Sequence, residues 1–168
     1  MLIDLRNVNN TMIPMGPLQP GLPFPSMVPK EWSIIITNLQ DCFFTIPLHP
    51  KDRKRFAFSV PSINHMTPVK RFQWKFLPQG MMNSPTICQY LIPVLLQPVR
   101  GKYLTAFIIH YMDDILLSME SELCLQQLYD EVTTTLQNNG LLVAPDKIQL
   151  KAPFNYLGHV MEEPKIKS

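Results

Sequence analysis

Tyr111-Met112-Asp113-Asp114, flanked by Phe107-Ile108-Ile109-His110 and by Ile115-Leu116-Leu117, is the stretch whose reading decides the fold. Two apolar runs split by a short polar step predict a β-hairpin. Neighbouring side chains on a strand point to opposite faces. A turn relaxes that rule, so Asp113 and Asp114 can reach one spot. Two carboxylates held together repel each other unless a cation lies between them. Paired oxygen ligands suit Mg²⁺, which takes one or two carboxylates plus substrate phosphates. An Asp-Asp pair is also an ordinary hydrophilic turn. The apolar flanks set this one at the edge of a core, which favours a metal site for phosphoryl chemistry.

Downstream, Leu125, Leu128, Val132 and Leu136 recur at helical spacing. They predict an amphipathic helix over 121–138 that stops at Asn139-Gly140. Strands are expected at Leu141-Leu142-Val143 and along Phe154-Asn155-Tyr156-Leu157-Gly158-His159-Val160. Upstream, Arg71-Phe72-Gln73-Trp74-Lys75-Phe76-Leu77 alternates and closes a hairpin with 56–60. Ser84-Pro85 reads as a helix start, Ser at the N-cap and Pro in the first helical position. Pro93 should kink or end that helix. Ile34-Ile35-Ile36 is a β-branched strand ending at Thr37-Asn38, with Asp41 placed to cap a short helical turn. Leu2-Ile3-Asp4-Leu5-Arg6 alternates like a strand that lacks a partner. Six prolines over 14–30 predict an extended, stiff connector whose apolar residues pack on the domain. The order of elements predicts an α+β fold, helices packed on one face of an antiparallel sheet.

The chain has 168 residues, enough for one domain with a buried core. Its net charge of +2 is compatible with nucleic acid without pointing to it. Seventeen prolines are about twice the usual share. Cys42, Cys88 and Cys124 are odd in number and set in apolar runs, which predicts reduced thiols in an intracellular, cytoplasmic setting rather than a disulfide or zinc framework. The start, Met1-Leu2-Ile3-Asp4-Leu5-Arg6, does not read as a signal peptide, and no apolar run approaches the roughly 18 residues of a membrane span.

Three stretches taken together are more specific than any alone. Asn38-Leu39-Gln40-Asp41-Cys42-Phe43-Phe44, then Leu77-Pro78-Gln79-Gly80-Met81-Met82-Asn83-Ser84-Pro85, then Tyr111-Met112-Asp113-Asp114 resemble, in order and spacing, motifs A, B and C of retroviral reverse transcriptases. The nearest likeness is to the betaretroviral kind carried by K-class endogenous retroviruses. It runs from Leu2-Ile3-Asp4-Leu5-Arg6 through Phe154-Asn155-Tyr156-Leu157-Gly158.

The resemblance implies a right-hand polymerase. Residues 1–168 would form the palm and part of the fingers, with first finger strands, thumb, connection and ribonuclease H domain absent, so both ends look cut. It implies RNA-directed DNA synthesis on a template and primer from deoxynucleoside triphosphates, as part of a Pol polyprotein. In such enzymes three aspartates hold two Mg²⁺ ions. Asp113 and Asp114 match two of these catalytic ligands, and the third position falls on Asn38. Asp41, Cys42, Phe43, Gln79, Gly80, Met112 and Lys147 match nucleotide-binding positions, Phe43 as the steric gate against a ribose 2′-hydroxyl. Arg6, Tyr111, Tyr156, Leu157 and Gly158 match primer or template positions.

Asn38 offers a neutral amide where the family has a carboxylate. Losing the transition-state stabilisation of one metal costs several kcal/mol, so the expected activity falls by about 10³. The competing reading is a non-catalytic remnant that binds nucleic acid or protein, with the basic stretch 51–55 (Lys51, Arg53, Lys54 and Arg55), Arg71 and Lys75 tracking a phosphate backbone. A third is an open reading frame without function. Oligomeric state is not legible.

Overall fold

The structure, a computed structural model, describes residues 3–16 and 25–162. Leu2, and Pro17, Leu18, Pro20, Leu22, Pro23 and Phe24 of the connector, lie outside the described residues. Contacts divide the chain into two units, Met1–Pro17 with Phe43–Cys88 and Leu18–Cys42 with Gln89–Ser168.

The second unit is built on an antiparallel sheet. The β-branched run becomes β1 (Ser33–Gln40), and the opening hairpin becomes β4 (Phe107–Tyr111) and β5 (Asp114–Met119). With β6 (Leu142–Val143) the strand order is β4-β5-β1-β6. The expectation that the first strand ends at Thr37-Asn38 is corrected. Pairing with β5 carries β1 through Asn38, and pairing with β6 carries it to Gln40.

Alternation sorts the side chains of this sheet into two faces. One face carries Ile34, Ile36 and Asn38 opposite Ser118, Leu116 and Asp114. Its apolar part packs with Val28, Trp32, Phe154 and Tyr156. Ile36 and Leu116 are almost fully buried, each contributing about 2 kcal/mol. The other face, with Ile35, Thr37, Leu39, Ile115 and Leu117, takes helix α4 (Glu122–Asn138), which packs on β1, β5 and β6 through Leu125, Leu128, Val132 and Leu136. Ser121 caps α4 by accepting from the Cys124 N–H.

The strand expected over 154–160 is two strands, β7 (Phe154–Tyr156) and β8 (His159–Met161). Leu157 (φ 49°) and Gly158 (φ 78°) both take left-handed conformations and form the turn between them. Helix α3 (Ser84–Lys102) does not end at Pro93; Pro93 and Pro98 both lie inside it. Ile92, Leu96 and Val99 are buried along one side, so packing outweighs the cost of proline.

The first unit has helix α1 (Arg6–Asn10) where a strand was expected to end; Ile3, Asp4 and Leu5 form no strand. Local hydrogen bonds win here: the Asn9 N–H reaches the Leu5 carbonyl at 2.8 Å. β2 (Ala57–Val60) pairs with β3 (Lys70–Gln73) as predicted, although β3 stops at Gln73 instead of continuing to Leu77. Beyond it the chain pairs elsewhere, through Leu48 N–H to Lys75 O (2.8 Å) and Leu77 N–H to Ile46 O (2.9 Å). Phe44 stacks on Trp74, and Phe58 lies against both Trp74 and Phe72. The short helix α2 (Cys42–Thr45) follows Asp41, which sits at φ 48°.

Cys124 is free, but Cys42 and Cys88 are disulfide-bonded, which corrects the expectation of three reduced thiols. Spacing along a chain sets no bound on distance in the fold. Among the described residues no helix is long and apolar enough to cross a membrane.

Candidate active site

The Tyr111-Met112-Asp113-Asp114 hairpin closes on two residues, because Tyr111 pairs with Asp114. Asp114 is therefore the first residue of β5, and Met112-Asp113 is the turn. Met112 holds φ 57°, which costs a side chain with a Cβ on the order of 1 kcal/mol. Three groups hold the turn there. Gln89 on α3 accepts the Met112 N–H at Oε1 (2.7 Å) and donates from Nε2 to the His110 carbonyl (3.3 Å). His110 Nε2 lies against the Met112 carbonyl. A carbonyl only accepts, so Nε2 carries the proton. From β1, the Leu39 N–H donates to the Asp113 carbonyl at 2.7 Å.

His110 is itself buried, and its Nδ1 has no partner. Burial, reinforced by the Arg100 cation, pushes its pKa down to about 4, against the pull of the Met112 carbonyl and the Asp113 charge. At neutral pH the imidazole is an uncharged strut.

Asn38 and Asp114 are direct cross-strand partners on one face of the sheet. The Asn38 Nδ2 donates to Asp114 Oδ1. Burial raises the Asp114 pKa and the neighbouring Asp113 charge raises it further; the Asn38 hydrogen bond and the Lys147 cation pull the other way. Asp113 is exposed and Asp114 half-buried. Two adjacent carboxylates suit a divalent cation between them. The donor set stops there: among the described residues no group of three or more His, Cys, Asp and Glu side chains gathers as a metal site. Asn38, across the sheet, has its amide nitrogen turned onto the Asp114 carboxylate.

The second unit thus brings Asn38, Tyr111, Met112, Asp113 and Asp114 together. Lys147, in the turn Pro145–Lys147, is near enough for its charge to act on Asp114. Tyr156 lies under the same sheet face, its hydroxyl buried without a partner and disfavoured from ionising by burial and by Asp114. Leu157 and Gly158 form the β7–β8 turn. Asp41 is exposed and Cys42 buried.

Arg6, Phe43, Gln79 and Gly80 belong to the first unit. Arg6 is exposed and forks onto Asp4, with a closest approach of 2.6 Å, and the Asp4 carboxyl is held down at about 2 by that pairing. Phe43 is half-buried, and Gln79 and Gly80 are exposed, Gly80 at φ 90°. Gln89 and His110 were not among the predicted site residues. The one signal was a polar Gln89 inside the apolar stretch of α3.

The description "Reverse transcriptase (RNA-dependent DNA polymerase)" matches residues 1–161 of the chain. The chain is similar to the Gag-Pro-Pol polyprotein of Squirrel monkey retrovirus, at 51% identity over 99% of the chain, and to that of Mason-Pfizer monkey virus, also at 51% over 99%. It is 52% identical over 94% of its length to the Gag-Pro-Pol polyprotein of Sheep pulmonary adenomatosis virus. The chain spans 9% of the length of each of these relatives.

Proposed function

Because this chain belongs to the reverse transcriptase (RNA-dependent DNA polymerase) family, we propose that it is built for template-directed nucleotidyl transfer to a primer 3′-hydroxyl and is strongly impaired in that reaction. Asp113 and Asp114 would hold divalent cations. When bound, such ions lower the pKa of the attacking hydroxyl and offset charge on the leaving oxygen. The chain's own part is placement. Gln89, His110 and the Leu39 N–H fix the turn, so the Asp113 and Asp114 carboxylates do not reorganise when charge develops.

The single observation carrying the impaired reading is the Asn38–Asp114 pair. The third corner is uncharged, and its amide engages an oxygen that a cation would use. Losing a carboxylate here removes several kcal/mol of transition-state stabilisation, about 10³ in rate. The test is Mg²⁺-dependent primer extension on an RNA template by the native chain and by Asn38→Asp. Weak or absent extension by the native chain, raised by about 10³ in Asn38→Asp, is the expected result. Robust extension by the native chain refutes impairment.

A second reading, nucleic-acid binding without catalysis, is favoured by the first unit. Lys70, Arg71 and Lys75 are exposed on and just beyond the hairpin that carries the Phe58, Phe72 and Trp74 rings. Basic and aromatic groups together suit single-stranded nucleic acid. Such binding should weaken steeply between 50 and 200 mM salt, as phosphate contacts do.

A further inference from the structure

Two asparagines in the first unit lie far from Asp113 and Asp114 in sequence, and each holds backbone groups on both sides of one residue. Asn9, half-buried on α1, donates from Nδ2 to the Gly80 carbonyl (2.9 Å) and accepts the Met82 N–H at Oδ1 (2.9 Å). Asn83, buried, donates from Nδ2 to the Ile13 carbonyl (3.0 Å) and accepts the Met15 N–H (3.2 Å). Helix α1 and the segment after it are thereby fastened along the turn that precedes α3 by four hydrogen bonds from two side-chain amides.

The turn's own hydrogen bonds are few. Its internal bonds run from the Met81 N–H and the Ser84 hydroxyl to the Pro78 carbonyl, and from the Ser84 N–H to the Met81 carbonyl. The Met81 bond, long at 3.3 Å, is the one that spans Gln79 and Gly80, and the Ser84 bonds brace the end nearest α3. Gly80 sits at φ 90°, and a Cβ there would meet nothing within 4 Å. It is therefore backbone conformation, not crowding, that calls for glycine, and an exposed glycine turn closed by one long bond is steadied by a contact from outside it. The Asn9 amide is that contact.

We infer that Asn9 is a positioning residue that presets the Gln79-Gly80 turn for the incoming deoxynucleoside triphosphate. This rests on the proposed polymerase reading, in which Gln79 and Gly80 contact that nucleotide. An untethered turn has to be ordered at the moment of binding, and the ordering cost is subtracted from affinity. Duplex binding does not require the same ordering, so the two affinities separate.

The experiment uses the full chain bound to an RNA template with a chain-terminated DNA primer, so that no reaction follows. Affinity for the complementary deoxynucleoside triphosphate is measured with Mg²⁺ in the native chain, Asn9→Ala and Asn9→Asp. Hydrogen exchange at the Met82 amide is followed in the free proteins. Asn9→Ala is expected to speed Met82 exchange, weaken nucleotide binding about tenfold and leave duplex affinity within about twofold. Asn9→Asp keeps the acceptor for Met82 but turns a carboxylate oxygen onto the Gly80 carbonyl; it should leave Met82 exchange slow and still weaken nucleotide binding. Faster Met82 exchange with unchanged nucleotide affinity overturns the inference. So does an equal fall in duplex and nucleotide affinity, which marks a role in folding alone, and so does unchanged Met82 exchange in Asn9→Ala. A native chain that takes up no nucleotide on the duplex overturns the polymerase reading and this inference with it; the other three outcomes leave that reading standing.

Discussion

The Asn38 amide donates into the Asp114 carboxylate from directly across the sheet, at the last matched pair between β1 and β5. A hydrogen bond to an ionised group contributes about 1.5–3 kcal/mol. Asn38→Asp replaces that bond with a third negative charge. The metal-free variant should therefore be less stable than the native chain by about 2 kcal/mol, and divalent metal should reverse the order. Thermal melts in EDTA and in Mg²⁺ check both halves. In parallel, Mn²⁺ titration should show at least roughly tenfold tighter binding in Asn38→Asp, equivalent to about 1.4 kcal/mol. Equal melting in EDTA and equal Mn²⁺ affinity would show that the third corner is not part of a metal site.

Gln89 serves the turn from both sides, so its removal should be felt in stability before it is felt anywhere else. Gln89→Leu deprives the Met112 N–H of an acceptor and the His110 carbonyl of a donor. Both lie at a half-buried turn, and losing such partners costs about 1–3 kcal/mol each. The expected destabilisation is about 3 kcal/mol by urea unfolding. Gln89→Glu keeps the acceptor but sets a buried carboxylate oxygen against the His110 carbonyl, so it too should destabilise the turn at neutral pH. A Leu variant as stable as the native chain would mean that the strained Met112 conformation holds itself.

His110 gives the fold a dependence on pH. Its folded pKa is about 4 against an ordinary 6.5, so between those values the unfolded chain binds the proton and the folded chain does not. Stability should be constant above pH 6.5 and fall as pH drops towards 4, by on the order of 3 kcal/mol over the window. Asp114 works in the opposite sense in the acid range above its ordinary 3.8: its carboxyl is raised, so the folded chain keeps the proton longer and loses stability as pH rises. His110→Gln removes the first effect and keeps a donor near the Met112 carbonyl. Its melting temperature should vary much less between pH 6.5 and 4.5. An unchanged slope would place the titration elsewhere.

These features differ in how far the sequence discloses them. Two apolar runs split by Asp113 and Asp114 give the hairpin, and the spacing of Leu125, Leu128, Val132 and Leu136 gives α4, because burial on one face of a helix leaves a period in the chain. Pro93 misleads, because the cost of a proline is local while the burial of Ile92, Leu96 and Val99 that offsets it is tertiary. The β7–β8 turn is missed because Leu157 at φ 49° is an uncommon turn residue, and only Gly158 hints at it. At the site, the identities of Asn38, Asp113 and Asp114 are legible as a motif. Their geometry is not, since the strand expected to end at Asn38 has to continue for Asn38 to face Asp114. The amide clamps of Gln89, Asn9 and Asn83 leave no period and no motif; they join positions whose proximity exists only in the fold.

Tyr156 offers a test of the floor beneath this site. The residue is about 1% exposed, packs with Ile36 and Leu116, and carries a hydroxyl with no hydrogen-bond partner. A buried donor left unpaired costs about 1–3 kcal/mol. Tyr156→Phe removes that atom and keeps the ring, so it should be neutral or raise stability by about 1 kcal/mol in urea unfolding. Tyr156→Ala removes the ring too and should cost about 3–5 kcal/mol through the cavity it leaves. If Tyr156→Phe instead destabilised the chain by more than about 1 kcal/mol, the hydroxyl would be bonded in solution. Asp114, whose charge already bears on it, would then be the first partner to examine, by repeating the substitution in an Asp114→Asn background and looking for the loss of the effect.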